Sequence, residues 1–179
     1  AALPKATLES TILTGADLSE ADLSGALLDT AALTGCRLDR AVCSRVTITD
    51  TTLIDATLTM ADLTEAVVRR TDLTGVDWTG ATADFADFRD VRMVGGQFSD
   101  ARLRGAFVGD SDLRAASLSG SDLTGAQFAR ADLTDVSVTD CRADDAEFSE
   151  SVFAGTVLRD SSLARADLAG AALADATIE

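Results

Sequence analysis

The chain has 179 residues, 46% of them apolar but only 4% aromatic, and it sets 30 acids against 15 bases for a net charge of -15. Such an apolar content excludes a disordered acidic tail, and such a surface repels nucleic acid and anionic membranes and suits a basic partner. The absence of histidine excludes Ser-His and Cys-His nucleophile pairs and the commonest zinc sites.

No secretory pattern opens the chain, and no run of 18 apolar residues suggests a membrane span. It begins on Ala1 without a methionine, already inside a repeat, so the expectation is one domain over residues 1–179, a fragment of a longer chain. Every residue numbered three more than a multiple of five belongs to one series of 36, from Leu3, Leu8 and Leu13 to Leu168, Leu173 and Ile178. All are Leu, Ile, Val, Phe, Met or Trp except Cys43, Ala83 and Ala143. The residue two places earlier, from Ala1 to Ala176, is always Ala, Ser, Thr, Cys, Val or Gly.

A period of five fits neither regular element. On a helix, five residues advance about 500°, so the leucines would wind around the axis. On a strand, an odd period sends them to alternate faces. A chain that turns a corner every five residues points each one inward, and four such sides close a coil of 20 residues. In the first full coil after the opening one, Leu23, Leu28 and Leu33 follow Leu18 around three corners. The three remaining positions of each pentad face outward and are rich in the Asp, Ser, Thr and Gly that suit turns.

Further along, Cys43, Ala83 and Ala143 all fall on the first of the four sides. The two alanines are expected to leave voids unless neighbours shift inward. Phe85, at an outward position, is expected to tuck back toward the Ala83 gap, with a local register slip over Ala83 to Phe88 as the other reading. Trp78, Phe88, Phe98, Phe128, Phe148 and Phe153 sit at inward positions and are assigned to the core with Leu18, Leu23, Leu28 and Leu33. Phe107 instead precedes an inward position on the second side. So do Leu27 and Val67, at intervals of 40 residues, making a dotted apolar line about 20 Å long. This line, with the second-side acids Asp50, Asp87, Asp90 and Asp110, is the candidate partner-binding surface. The first side carries a net charge of -1 and the others -5, -4 and -5. Arg92 falls between Asp72 and Asp112 in neighbouring coils, where internal pairing is expected, and Asp112 stacks on Asp132 as a like charge.

The densest acidic cluster, Asp144, Asp145, Glu147 and Glu150, suggests neither a glycosidase, which needs a cleft between two carboxylates, nor the nine-residue calcium repeat. No phosphate-binding glycine loop is present. No catalytic, cofactor-binding or metal-binding residues are assigned, and an enzyme is not expected. Cys36, Cys43 and Cys141 form no paired framework and suggest free thiols in a reducing, cytoplasmic setting.

The stretches Ala16-Asp17-Leu18, Ala21-Asp22-Leu23, Ala61-Asp62-Leu63, Ala131-Asp132-Leu133 and Ala166-Asp167-Leu168 resemble the A(D/N)LXX signature of the pentapeptide-repeat family, and the resemblance covers the whole chain. It implies an all-β fold, a right-handed quadrilateral parallel β-helix of about nine 20-residue coils. It also implies a function. The best understood branch, the quinolone-resistance type, consists of acidic rods that mimic DNA in the DNA-binding saddle of DNA gyrase, a type II topoisomerase. Nine coils at strand spacing make a rod of about 43 Å, on which duplex DNA would carry roughly 25 charges. The net charge of -15 is about 60% of that density. Members of that branch usually dimerise through a C-terminal helix and some carry loops; this chain has neither, so a homodimer would form through an open coil end. The other reading is a rigid scaffold or spacer for a different protein partner.

Overall fold

The computed structural model describes residues 1–179, and it contains no helix. Parallel pairing holds it together, always between a residue and the one 20 places on. Single bridges such as Ala2↔Asp22, Asp87↔Phe107 and Val152↔Ala172 recur at every fifth residue. On two sides the pairing widens into short strands. These are β1 (Leu27–Asp29), β2 (Thr47–Thr49) and β3 (Val67–Arg69) in one sheet, and β4 (Ser137–Thr139), β5 (Val157–Arg159) and β6 (Thr177–Ile178) in the other. Both run in sequence order, with Leu28↔Ile48↔Val68 and Val138↔Leu158↔Ile178 in register. The pairing keeps its 20-residue offset through Ala83 to Phe88, with Thr82↔Arg102 and Asp87↔Phe107, so there is no register slip there.

Each corner is built the same way. At most of them the amide of the next pentad's first residue donates to the preceding inward residue's carbonyl, as from Ala6 to Leu3 (3.1 Å) or Ala131 to Phe128 (2.9 Å). The fifth residue of all 35 complete pentads has positive φ, and 24 of these residues are not glycine. A left-handed conformation costs a side-chain-bearing residue roughly 1–2 kcal/mol. It is offset by an inter-coil bond from the same residue's amide, such as Arg40 to the Thr59 carbonyl (2.8 Å). The fifth side chain leans over the fifth position of the next coil. At several corners that position is a glycine, as with Met60 over Gly80, or carries the opposite charge, as with Asp145 under Arg165.

Eight corners lack this bond, and at three of them a hydroxyl from the next coil bridges the gap. Thr51 Oγ1 accepts from the Ala31 amide and donates to the Leu28 carbonyl (3.3 Å each). Ser111 Oγ does the same for the Val91 amide (3.2 Å) and Phe88 carbonyl (2.8 Å), and Ser161 Oγ for Cys141 and Val138 (3.1 Å each). Ser111→Ala leaves a buried amide and carbonyl without that bridge and is expected to cost about 1–3 kcal/mol. Ser117→Ala, at an outward position, is expected to change stability by less than about 0.5 kcal/mol. Urea unfolding of the two variants checks this.

Inside the rod, 48 buried apolar residues form one continuous cluster. Leu23, Leu28 and Leu33 are buried within it, and Leu18, in the terminal coil, packs against it half-exposed. Trp78 meets Phe88 edge-on (5.5 Å between centroids) and stacks on Phe98 (5.6 Å); Phe148 stacks on Phe128 (5.2 Å) and meets Phe153 edge-on (5.3 Å). Ala83 and Ala143 are fully buried, yet no cavity is lined by either. The expected voids are absent because the coil of Ala83 also holds Phe88, Met93 and Phe98, and that of Ala143 holds Phe148 and Phe153. Large rings occupy the volume the alanines leave. Phe85 therefore has no gap to fill. It is 62% exposed, and its ring passes 2.8 Å from where a Cβ on Gly105 would lie, which corrects the expectation that it turns inward.

Candidate functional site

The inter-coil register explains why aspartate so often precedes the inward leucine. Its Oδ1 accepts from the amide two residues on, in Asp22–Ser24, Asp62–Thr64, Asp72–Thr74 and Asp132–Thr134 (3.0 Å each), and from the Ser or Thr hydroxyl of the same residue. Such an Asx turn caps an amide that the inter-coil ladder leaves free. Many surface acids therefore have a structural task while they keep their charge.

Leu27, Val67 and Phe107 do lie in one column. Leu27↔Thr47↔Val67 pair across β1, β2 and β3, and Val67↔Asp87↔Phe107 continue downward. The column is not a continuous apolar strip, because Thr47 and Asp87 separate its members. Leu27 and Val67 are half-buried and Phe107 is exposed. Arg89 lies over the Phe107 ring, 5.6 Å from its centroid.

Three of the four second-side acids are engaged within the rod. Asp50 receives a bidentate Arg70 (2.9 and 2.7 Å) and Asp110 a bidentate Arg130 (2.7 and 2.6 Å), and these hydrogen bonds hold both carboxyls below the usual range. Asp87 takes Arg89 (2.9 and 2.7 Å) and Arg69 together, and the Arg89 hydrogen bonds above all bring it down to about 2. Only Asp90 stands without an ion pair.

On the first side, Asp84 is buried beneath Arg102 and Arg104. Burial alone would raise its pKa, but hydrogen bonds from Arg104 (2.5 Å) and Arg102 outweigh it and lower it. Arg92 is not ion-paired as expected; it donates to Thr74 Oγ1 (3.1 Å). Arg114 instead reaches Asp112 (2.7 Å) and Asp132 (3.7 Å) and relieves the like-charge stack. In the acidic cluster, Asp145 pairs with Arg165 (2.6 Å), and Asp144 accepts from Ser162 Oγ and the Ala164 amide. The three thiols are buried, and burial pushes Cys36 up to about 11 and Cys43 to about 12, so neither is a nucleophile near neutral pH.

After these pairs are set aside, 18 acids but only Lys5, Arg92 and Arg142 among the bases lie outside ion pairs. The free acids occupy all four sides, from Glu9 to Asp175, and leave a negative field along the length of the rod. Sequence reasoning missed Phe85 as a surface feature. Its signal was its place at the fifth position of a pentad, where every side chain leans outward over the next coil.

Eight copies of the model for pentapeptide repeats match the chain, over residues 1–29, 27–64, 61–96, 97–135 and 144–179. No curated protein matches it significantly. Among solved structures, the chain is similar to HetL, a pentapeptide repeat protein involved in heterocyst differentiation regulation from the cyanobacterium Nostoc. The two are 27% identical, with a TM-score of 0.56 over 98% of this chain and 86% of HetL. It is also similar to QnrB1, a plasmid-mediated fluoroquinolone resistance protein, at 17% identity and a TM-score of 0.59 over 93% of this chain and 91% of that one, a likeness of fold.

Proposed function

The chain belongs to the pentapeptide-repeat family, and from that premise we propose that it is a non-enzymatic acidic rod that binds a protein with a basic surface, DNA gyrase or another type II topoisomerase first among them, as a mimic of DNA. One observation carries this reading. Eighteen acids against three bases remain outside ion pairs, on a rod whose coils keep a 20-residue register throughout. A DNA-binding saddle presents basic side chains to a rod of repeated negative charge, and this surface offers the same charge pattern at about 60% of the density of a duplex. The depressions on the surface are open and shallow, which supports binding rather than catalysis. The buried, protonated thiols fit a reducing cytoplasm, and residues 1–179 form one binding module.

A titration of purified gyrase in a supercoiling assay, at about 50 and 200 mM salt, tests it. The expected result is inhibition, or protection from a quinolone, that weakens at least tenfold at the higher salt. No inhibition, no protection and no binding at low salt would overturn the gyrase reading. The likeness to HetL, the higher of the two in identity, favours the second reading, a rigid scaffold or spacer for a different protein partner. Under it, the rod binds a basic partner but leaves gyrase untouched.

A further inference from the structure

Two of the seven phenylalanines face solvent, and both lie on one edge of the rod. Phe85 closes the first side of the fifth coil. Phe107 opens the second side of the sixth, two residues after the Gly105 that lies beneath the Phe85 ring. The edge is rimmed by Arg89, which covers Phe107, and by Arg104, adjacent to Gly105. Below this edge the second side changes character. Its fourth-position column holds Arg69 and Arg89 higher up, then runs Gly109, Ala129, Ser149, Ala169. Gly109 and Ala129 floor a trough of about 290 Å³, and Ser149 and Ala169 continue the run of small residues in the same column beyond it. One wall is the paired column Phe107↔Gln127↔Glu147↔Asp167, and the other begins with Asp110 and Arg130 and continues to Glu150. Gly109 keeps the floor low: a Cβ there would stand 2.8 Å from the Ala129 carbonyl oxygen.

We propose that this trough is the docking site for an extended basic segment of a protein partner, with an apolar residue seated at Phe107 and Phe85 and arginines or lysines at the lower end. The proposal rests on the reading of the rod as a binder of basic proteins and gives it an address. Charge complementarity selects the occupant. Asp110 is already neutralised by Arg130, whereas Glu147, which accepts from Ser149 Oγ (3.1 Å), Glu150 and Asp167 have no ion pair and lie on the same side at the lower end. Nucleic acid is repelled by the same three carboxylates. The trough is one column wide, which suits an extended chain and not a helix of about 10 Å diameter. Geometry also sets the spacing. Glu147 lies two coils below Phe107 and Asp167 three, about 10 and 14 Å at strand spacing, which an extended chain covers in three to four residues at about 3.3 Å each. The segment recognised therefore has an apolar residue and a basic pair three and four positions from it. Aromatic and arginine groups are the side chains that most often dominate a docking surface.

The test uses the whole chain and a fluorescein-labelled peptide, Gly-Ser-Phe-Gly-Ser-Arg-Arg-Ser-Gly-Ser, read by anisotropy at about 20 and 150 mM salt. Its controls are a peptide with Phe moved next to the arginines and one with Phe replaced by Ser. At the higher salt the first peptide is expected to bind at least tenfold more tightly than either control. Ala129→Arg fills the trough floor and is expected to abolish that preference. The fold accepts arginine at this position, as at Arg69, Arg89, Arg104 and Arg114. Val152→Arg adds the same charge on the third side and is expected to leave the preference intact. Should Ala129→Arg unfold, Phe107→Thr, which places the residue found at Thr7 and Thr47 in the same column, is expected to lower binding of the first peptide to that of the Phe-free one. Equal binding of the three peptides, or an unchanged preference in the trough variant, overturns the docking site but leaves the broader basic-partner reading standing. No binding of any basic peptide at low salt overturns both.

Discussion

Trp78→Ala is expected to lower the unfolding free energy by about 3–5 kcal/mol, the range for removing a buried aromatic ring from a packed core. Trp78 is 2% exposed and holds two coils together, edge-on to Phe88 at 5.5 Å and stacked on Phe98 at 5.6 Å. Its loss opens a cavity between the Phe88 and Phe98 rings, next to the small Ala83. In a stacked solenoid each coil contacts only its neighbours, so a weakened interface in the middle threatens the cooperativity of the whole rod. Urea unfolding followed by circular dichroism should show a lower midpoint, with a smaller slope if the two halves separate. Trp78→Phe makes a sharper comparison. The indole Nε1 has no acceptor within the protein, so the smaller ring forfeits some packing but also removes a buried, unpaired donor worth about 1–3 kcal/mol. The two effects oppose each other, and a change within about 1 kcal/mol is expected. A loss as large as that of the alanine variant would mean that the indole is bonded in solution.

The second large effect runs against the repeat's own rule. Leucine is the commonest inward residue, and by pattern alone Ala143→Leu should fill a gap and stabilise. It is instead expected to destabilise by about 1–3 kcal/mol, the cost of overpacking a filled core. Ala143 is 0% exposed, no cavity lies against it, and its coil already contains Phe148 and Phe153 in edge-on contact at 5.3 Å, with Phe148 stacked on Phe128 at 5.2 Å. Ala143→Leu combined with Phe148→Leu returns the coil to the common pattern and is expected to recover part of the loss, a coupling that a double-mutant cycle measures. A single Ala143→Leu variant with a raised midpoint would show that the coil was underfilled.

The contrast between these two sites bears on what could be read in advance. That Trp78, Phe128 and Phe148 are core followed from their place in the five-residue series. That the alanines leave no void did not, because compensation works around a coil and between coils, through ring orientations that no linear pattern records. Surface charge divides in the same way. Asp50 and Asp110 are an offset of 20 residues from Arg70 and Arg130, so their pairing was arithmetically available once the coil length was known. Arg92 had the same arithmetic with Asp72 and Asp112, yet it turns to Thr74 while Arg114 takes Asp112. Which of several neighbours a long side chain chooses depends on rotamer and local exposure, not on register.

The acids of the candidate partner surface show the consequence. Asp50, Asp87 and Asp110 looked free as outward residues on a strongly acidic side, and each is held by arginine. The carboxylates left for a partner on that side of the lower rod are Glu147, Glu150 and Asp167. The proposed apolar contact is at the Phe85–Phe107 edge, which shares Phe107 with the column of Leu27 and Val67.

The sequence determined the coil, because a strict five-residue period fits neither a helix nor a long strand, and burying two residues in five leaves only a chain that turns a corner in each pentad. It determined the core for the same reason. The tertiary structure alone decided how corners close, through hydroxyls such as Ser111 that reach across from the next coil, and which charges stay unpaired. It also decided where the wall of the rod drops into a trough. Those features arise from contacts between residues about 20 apart in sequence, where the choice of partner rests on side-chain geometry and solvation rather than on periodicity.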